Sequence, residues 1–298
     1  MAAGTMPMTR DRIGFNIAGY IVVTIFSLLC LIPFILVISS SMTSEAYILR
    51  YGYTLFPQDF SLEGYKLVLK DPTAILRSYG VTILVTVVGT AMSVFICTMT
   101  GYALQRKDFK WRNKISFYLF FTTLFNGGLV PWYILCVQYL GLKNTLWALI
   151  LPGMVSVWNI LLVKGFMRGI PYEITESAKI DGAGDFRIFV SIILPVAKPV
   201  VATIGLFTAL MYWNDWFNSL LFITNDNLYT LQYFLHRLAG SVQALRAVMD
   251  KAGIVVDTLP VESMKMALTV IVTGPIIFLY PFVQRYFVKG LTIGSVKG

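Results

Sequence analysis

The sequence predicts an all-α integral membrane protein, a bundle of six transmembrane helices. Its 298 residues are 57% hydrophobic and only 13% charged, with a mean hydropathy of +0.72, whereas soluble domains carry about 25% charged residues. Six stretches near the length that a bilayer requires contain a single ionised side chain between them, Asp215. These stretches are residues 13–44, 78–105, 115–142, 144–163, 199–225 and 266–284.

Two of these stretches have features of their own. The first, 13–44, is too long for a signal-peptide core and has no small-residue cleavage site, so we expect an uncleaved anchor. The third contains the run Asn-Gly-Gly-Leu-Val-Pro at residues 126–131. Clustered Gly and Pro allow two interpretations, either a break with close helix approach or a simple proline kink.

The charges between the stretches predict the orientation of the chain. Segments 1–12, 106–114, 164–198 and 285–298 carry 15 Lys and Arg against 6 acidic residues, whereas the alternate segments, counted together with Asp215, carry 9 of each. The net charge of +9 therefore belongs to one face. The positive-inside rule makes that face cytoplasmic, with both termini inside. The basic balance is a signal of topology, and no basic patch apart from the span ends indicates binding of nucleic acid.

A single transmembrane domain over residues 1–298 is expected, with a cytoplasmic N-terminal segment 1–12. Three connections are long enough to carry function. Two lie outside, at 43–77 and 224–265, and one lies inside, at 164–198. The remaining turns are short, which is consistent with antiparallel neighbouring helices.

Catalytic and metal-binding motifs are missing from the sequence. It has no Gly-Lys dipeptide, so it lacks the phosphate-binding loop, and it has no Gly-x-Ser-x-Gly elbow. Cys30, Cys97 and Cys136 lie in apolar stretches and are expected to pack there. His236 is interpreted as an ordinary outer-loop residue without partners for zinc. We therefore expect no enzyme and no cofactor bound by this chain.

The inner connection predicts a helix, a glycine turn and a second helix beside the membrane. In the first helix, Ile174 and Ala178 share a face. Gly182 and Gly184 form the turn, after which Asp185 is expected to cap the second helix. One face of that second helix is predicted to be apolar and to hold Phe186, Phe189 and Ile193. Pro195 and Pro199 are expected to end the helix.

Small and acidic residues near the glycine turn allow two interpretations of this hairpin. A compact knob could enter a groove on a partner protein, because small side chains permit close backbone approach. The hairpin could equally be an amphipathic interfacial element that only covers the bundle. The residues concerned are Glu176, Ser177, Ala178, Asp181, Gly182 and Ala183.

The hairpin resembles the EAA motif of bacterial ABC importer permeases. The matching run is Glu176-Ser177-Ala178, three residues, Gly182, nine residues, Ile192, one residue and Leu194-Pro195. Only Ser177 departs from the pattern, and it replaces one small residue with another. The run Asp181-Gly182-Ala183 and residues 284–290 are similar to the carbohydrate-uptake branch of maltose-permease-like subunits.

This resemblance implies a type I ABC importer permease fold in the bacterial inner membrane and alternating access as the mechanism. The hairpin would be the coupling element that docks on a cytoplasmic ATPase, through the six small and acidic residues named above. The implied partners are a second permease in a heterodimer, two ATPase subunits that carry ATP and magnesium, and a periplasmic sugar-binding protein. The implied partners also include membrane lipid and an oligosaccharide substrate.

A candidate pore segment surrounds Asp215, about 24 Å along the fifth predicted helix from Pro199 at 1.5 Å per residue. Aromatic planes beside amide and carboxylate acceptors suit a sugar. The same residue types also form the interfacial belts of membrane proteins in general. The segment consists of Tyr212, Trp213, Asn214, Asp215, Trp216, Phe217 and Asn218.

The outer loops 43–77 and 224–265 are expected to face the external binding protein, and the alternative is that they are solvated linkers. Residues 260–267 resemble the sub-branch that takes longer oligosaccharides, including uronate chains such as alginate. The alternative function is a secondary carrier or channel that works without an ATPase. That class is typically marked by inverted repeats and midplane charges, and the sequence shows neither.

Overall fold

The structure, a computed structural model, describes residues 10–251 and 260–277. Within these ranges the regular structure is helical, and the pairing of Thr43 with Phe60 is an isolated antiparallel bridge. The α-helices are α1 (Arg10–Ser41), α2 (Glu45–Tyr51), α3 (Glu63–Val68), α4 (Pro72–Gln105), α5 (Arg112–Leu124), α6 (Leu129–Ile134), α7 (Trp147–Ile150), α8 (Val157–Met167), α9 (Glu173–Ile180), α10 (Asp185–Ile188), α11 (Leu194–Val196), α12 (Lys198–Trp213), α13 (Phe217–Phe222), α14 (Leu231–Lys251) and α15 (261–277).

Two described helices are long and apolar enough to cross a bilayer unbroken, Ile13–Ser41 within α1 and Pro72–Gln105, which is α4. Three further helix pairs meet the same criteria with a bend between their halves, of 115° for α5 with α6, 47° for α7 with α8 and 85° at the start of α12. The described part therefore holds up to five spans if each bent pair is one span. The sixth predicted span, 266–284, continues beyond the described residues, so the count of six stays a prediction.

The chain divides into two compact units. One contains α1 to α3 together with the second half of α14 and most of α15, and the other contains the described chain from Asp71 to Leu238. The expectation of a single domain over residues 1–298 stays a prediction.

In the first unit, the carboxylate of Glu45 holds the beginning of α15. Both its oxygens accept the backbone N–H of Glu262 at 3.0 Å, and one accepts the N–H of Ser263 at 3.0 Å. An anion satisfies the unpaired N–H groups of a helix start and interacts favourably with its dipole. Close packing at Gly64 supports the same arrangement, since a Cβ there would lie 2.8 Å from the Ser263 backbone. Segments of the two predicted outer loops thus form one body.

In the second unit, α4 is the central helix and packs along α12 and α8. Its buried residues recur every three or four positions, so one stripe faces the neighbouring helices. Many of these residues are small, including Ser78, Thr82, Gly89, Ser93 and Gly101. Small residues permit the close helix approach that stabilises bundles in lipid.

The third predicted span is broken, which decides between the two interpretations of residues 126–131. α5 ends at Leu124 and α6 begins at Leu129, with a bend of 115° between the two segments. Gly128 takes a φ of +88°, and its N–H bonds to the side-chain oxygen of Asn126 at 2.9 Å. Gly128 is the N-cap residue of α6, and glycine adopts a positive φ without steric cost, so the sequence Asn-Gly-Gly makes this a break rather than a proline kink.

Candidate functional site

The 173–196 hairpin is built around a glycine cap at the end of α9. Gly182 has a φ of +78°, its N–H donates to the carbonyl of Lys179 at 3.0 Å, and the N–H of Ala183 donates to the carbonyl of Ala178 at 2.9 Å. These two bonds define a Schellman motif, which needs a left-handed residue at the position of Gly182. The predicted glycine turn is present, and the backbone of this cap explains why glycine occupies position 182.

The hairpin rests on the bundle through a small set of buried side chains. Thr175 and Ala178 of α9 are buried, and Ala178 belongs to a core cluster with Tyr102 of α4, Met167 of α8 and Phe189. The rings of Tyr102 and Phe189 stack with centroids 5.6 Å apart. One face of the hairpin is therefore held by α4 and α8, while the opposite face is open.

The open face carries the predicted coupling residues. Glu176, Ser177, Asp181 and Gly182 are exposed, Ala183 is half-buried, and Ala178 lies under the helix in the core. Ala178 thus supports the hairpin from within and does not offer a surface to a partner. A Cβ added at Gly182 would meet nothing within 4 Å, so the space in front of this glycine is open.

Sequence reasoning missed two exposed apolar residues beside the turn. Ile180 is 86% exposed and Phe186 is 64% exposed, although each is large and apolar. The sequence holds one indication of this exposure. Ile180 does not share the helix face of Ile174 and Ala178, and it lies at the end of the helix, close to Gly182. Together with Gly182 they form an apolar tip flanked by the acidic side chains of Glu176 and Asp181.

The second helix of the hairpin differs from the prediction in two respects. Gly184 occupies the N-cap position of α10, so Asp185 is the first helical residue and not the cap. Phe186 does not share a face with Phe189 and Ile193, since it is exposed while those two are buried. Instead, Ile188 joins Phe189 in the core. Phe186 stands in the first turn of α10, beside the open tip, and a π-helical turn with one extra residue follows only at Phe189–Ile193.

The end of the second hairpin helix also differs from the prediction. The helical run from Asp185 continues through Pro195 to Val196, one residue beyond the first predicted stop. The chain bends by 85° at Ala197, just before the Lys198-Pro199 pair. Pro199 has no N–H to donate to the carbonyl of Pro195, and its ring would clash with that carbonyl in a continuous helix, so it accounts for the break there.

An ion-pair network ties the hairpin to the turn after α4. The Nε of Arg106 donates to Asp108 at 2.9 Å, and its Nη1 lies 2.6 Å from Asp185. Lys179 contacts Asp108 at 2.8 Å and Asp185 at 3.8 Å. The Arg106 guanidinium and then the Lys179 ammonium hold the pKa of Asp108 well below its usual range. Asp108 thus stays ionised at any physiological pH.

Two members of the predicted pore segment lie in the core. Tyr212 is fully buried, and its hydroxyl donates to the carbonyl of Ile150 at 2.7 Å. Trp213 is also buried, with its ring 6.4 Å from that of Tyr79. In this conformation neither residue offers a surface to a pore. Burial follows from the stripe of α12 that faces α4, to which Tyr212 belongs.

Asp215 lies in a break, and not within a continuous fifth helix as predicted. α12 ends at Trp213, and the carboxylate of Asp215 accepts the N–H groups of Phe217 at 3.0 Å and of Asn218 at 3.1 Å, which begins α13. It also accepts the Asn218 side chain at 2.6 Å. Local capping therefore accounts for an acid at this place in an apolar stretch.

The remaining residues of the segment are accessible. Asn214 is exposed and bonds Gln232 at 3.2 Å, and Trp216 is 39% exposed with its ring stacked on that of His236 at 4.8 Å. The neighbouring Phe217 lines an open cavity of about 660 Å³ together with the 126–128 break. The break of the third predicted span and that of the fifth thus meet at one cavity.

The chain is similar to a known protein family and to individual transport proteins. Residues 93–293 match the family of binding-protein-dependent transport system inner membrane components. The chain is 38% identical to Protein LplC of Bacillus subtilis (strain 168), over 99% of this chain and 98% of that protein. It is 37% identical to the polygalacturonan/rhamnogalacturonan transport system permease protein YtcP of the same strain, over 95% and 98% of the two chains.

A solved structure shares the fold. It is a bacterial ABC transporter involved in the import of the acidic polysaccharide alginate, and the matching chain is 28% identical with a TM-score of 0.79, over 95% of this chain and all of that one. The matched family region contains the whole 173–196 hairpin, and the predicted membership among ABC importer permeases is confirmed. The chain belongs to the family of binding-protein-dependent transport system inner membrane components, and it is an ABC importer permease and not an enzyme.

Proposed function

We propose that the chain is one of two permeases in an inner-membrane importer of oligosaccharides and that it couples to two ATPase subunits through the 173–196 hairpin. The observation that carries the coupling role is the exposed apolar tip of that hairpin, Ile180 and Phe186 beside Gly182. The tip is held on a rigid base, because the other face of the hairpin is part of the core.

The physical chemistry of the tip favours a protein groove as its binding site. Burying a side chain such as Ile180 or Phe186 stabilises a complex by about 1.5–3 kcal/mol. The absence of a Cβ at Gly182 lets a second backbone approach the turn closely. Glu176 and Asp181 beside it are exposed and can pair with basic groups at the rim of the groove.

Replacement of Ile180 tests this docking role. We expect Ile180→Asp to reduce co-purification of the ATPase subunits by at least about tenfold, since a carboxylate would replace an apolar anchor. Ile180→Leu keeps the apolar volume and serves as the matched control, with retention equal to that of the wild type. Full retention of the ATPase by Ile180→Asp would contradict docking through this tip.

For the substrate, we propose oligosaccharides from uronate-containing polysaccharides. Two relatives support this class, the polygalacturonan/rhamnogalacturonan permease and the alginate importer. The cavity beside Phe217 and the exposed rings and amides of Trp216 and Asn214 supply stacking and hydrogen-bonding surfaces for a sugar.

A substrate panel tests the proposal directly. The reconstituted importer with its cognate external binding protein should hydrolyse ATP faster with oligogalacturonate or oligoalginate than without sugar. Maltodextrins of the same length serve as the uncharged comparison. Stimulation by maltodextrin alone would assign the transporter to neutral sugars and refute the uronate class.

The external binding protein is proposed to dock on the outer loops 43–77 and 224–265. Support comes from the Glu45 contacts, which join segments of the two loops into one body. The second half of α14 also exposes Leu245 and Val248. A binding protein that met this body would act on both loops together.

A further inference from the structure

A cluster of four ionised side chains connects three separate segments of the second unit. Arg106 follows α4 directly, Asp108 lies in the turn before α5, and Lys179 and Asp185 stand on either side of the hairpin turn. Each of the two carboxylates contacts both cations, at distances from 2.5 to 3.8 Å. The hairpin is therefore tied by charge to the end of α4.

Arg106 is the member of the cluster that geometry makes irreplaceable. Its side chain is 11% exposed, against 39% for Lys179 and Asp108. One edge of the guanidinium binds Asp108 through Nε and Nη2, and Nη1 binds Asp185. A planar fork fixes two carboxylates at a defined distance and angle, which a lysine cannot do. The exposed Lys179 pairs contribute little by comparison.

The opposite end of α4 is tied to an outer segment. The Oγ1 of Thr82 accepts the N–H of Leu231, the first residue of α14, at 2.8 Å. The Arg77 guanidinium bonds the side chain of Asn227. One unbroken helix of 34 residues thus contacts the hairpin at one end and the 227–231 segment near the other.

We propose that Arg106 is a positioning residue that locks the hairpin to α4, so that displacement of the hairpin by an ATPase is transmitted along α4 to the 227–231 segment. This inference rests on the proposed function, since it requires an ATPase docked on the hairpin. It assigns to Arg106 the transmission of movement and not the docking itself, because the Arg106 side chain is shielded while the tip at Ile180 is open.

The test is the number of substrate molecules imported per ATP hydrolysed by the full importer in proteoliposomes. Arg106→Gln should retain the ATPase subunits and their hydrolysis and lower this ratio about tenfold, within the range of measured couplings between sites. Asp185→Asn should lower the ratio in the same direction by less, and the double variant should be no worse than Arg106→Gln. Lys110→Gln, which removes an exposed cation from the same turn as Asp108 and outside the hairpin, is the matched control and should leave the ratio unchanged.

Three results would overturn the proposal about Arg106, and a fourth would refute the proposed function instead. An unchanged ratio in both Arg106→Gln and Asp185→Asn overturns the proposal. Loss of the ATPase subunits in either variant also overturns it, since the ion-pair cluster would then serve docking or folding. Strictly additive effects of the two substitutions would also overturn it. A wild-type chain that retains no ATPase refutes the proposed function instead, so the two failures are distinguishable.

Discussion

Gly182 and Gly184 lie two positions apart in the hairpin turn, and their backbones differ. Gly182 has a φ of +78° and Gly184 a φ of −68°, while a Cβ at either position would meet nothing within 4 Å. The difference between the two glycines is therefore one of backbone conformation and not of space within the chain. Substitutions at these two positions therefore test whether the turn requires glycine for a left-handed backbone or for the absence of a side chain.

We expect Gly182→Ala to reduce transport and to destabilise the hairpin by about 1–2 kcal/mol, because an L-residue in the left-handed region carries that cost. Gly184→Ala should be close to neutral. Gly182→Asn should recover stability, since Asn tolerates the left-handed region. The measurements are uptake in proteoliposomes and the thermal midpoint of the complex. Equal effects of both alanine variants would contradict the conformational explanation.

At the same scale, sequence reasoning located the hairpin but misjudged several side chains. Residue types and spacing were enough to find Glu176, Asp181 and Gly182 on the exposed turn. The burial of Tyr212 could not be predicted, because it depends on Gly89 of α4 leaving room for the ring. Nor could the exposure of Ile180, since apolar residues are ordinarily expected inside. Both are tertiary facts that one helix pattern does not contain.

Among the elements, α4 shows how small residues fix helix packing. A Cβ at Gly89 would lie 2.6 Å from ring carbons of Tyr212 on α12, and a Cβ at Gly101 would lie 2.6 Å from Val163 on α8. Gly80 of the same helix has nothing within 4 Å. Helix α4 therefore offers a tight glycine and a free glycine for direct comparison.

Gly89→Ala should destabilise the protein by about 1–3 kcal/mol, the usual cost of overpacking, whereas Gly80→Ala should be neutral or slightly stabilising. The measurement is the thermal unfolding midpoint of the detergent-solubilised complex. A midpoint for Gly89→Ala equal to that of Gly80→Ala would show that α4 and α12 can separate without cost.

The breaks in the spans mark the limit of prediction at the scale of elements. Hydropathy indicated where apolar segments lie, and α1 and α4 are continuous as expected. It did not indicate that the fifth predicted helix stops at Trp213. In the sequence Asp215 is a single charge in an apolar stretch, and only the structure shows that its carboxylate accepts the N–H groups of Phe217 and Asn218. Capping is a local geometric property that average hydropathy does not register.

For the whole molecule, the orientation remains a prediction from charge. Both termini and the turn between α4 and α5 are proposed to be cytoplasmic, with α14 outside. The natural cysteines do not obstruct a labelling test, because Cys97 and Cys136 are buried and Cys30 lies in the apolar α1.

We expect a membrane-impermeant maleimide to label Gln243→Cys in intact spheroplasts and to label Lys110→Cys only after permeabilisation. Both positions are exposed in the structure, so access to the reagent depends on the side of the membrane. The unsubstituted chain is the control and should remain unlabelled. Labelling of Lys110→Cys in intact spheroplasts would reverse the assigned orientation.

The π-helical turn at Phe189–Ile193 restricts the insertions and deletions that the hairpin can accept. The N–H of Leu194 bonds the carbonyl of Phe189, five residues back, so this turn contains one residue more than an α-helix would. Deleting one residue here would restore regular winding and rotate the tip by about 100° relative to α12. Natural variation in hairpin length between Gly182 and Pro195 should therefore be selected against, while exchange of exposed side chains such as Val190 is tolerated.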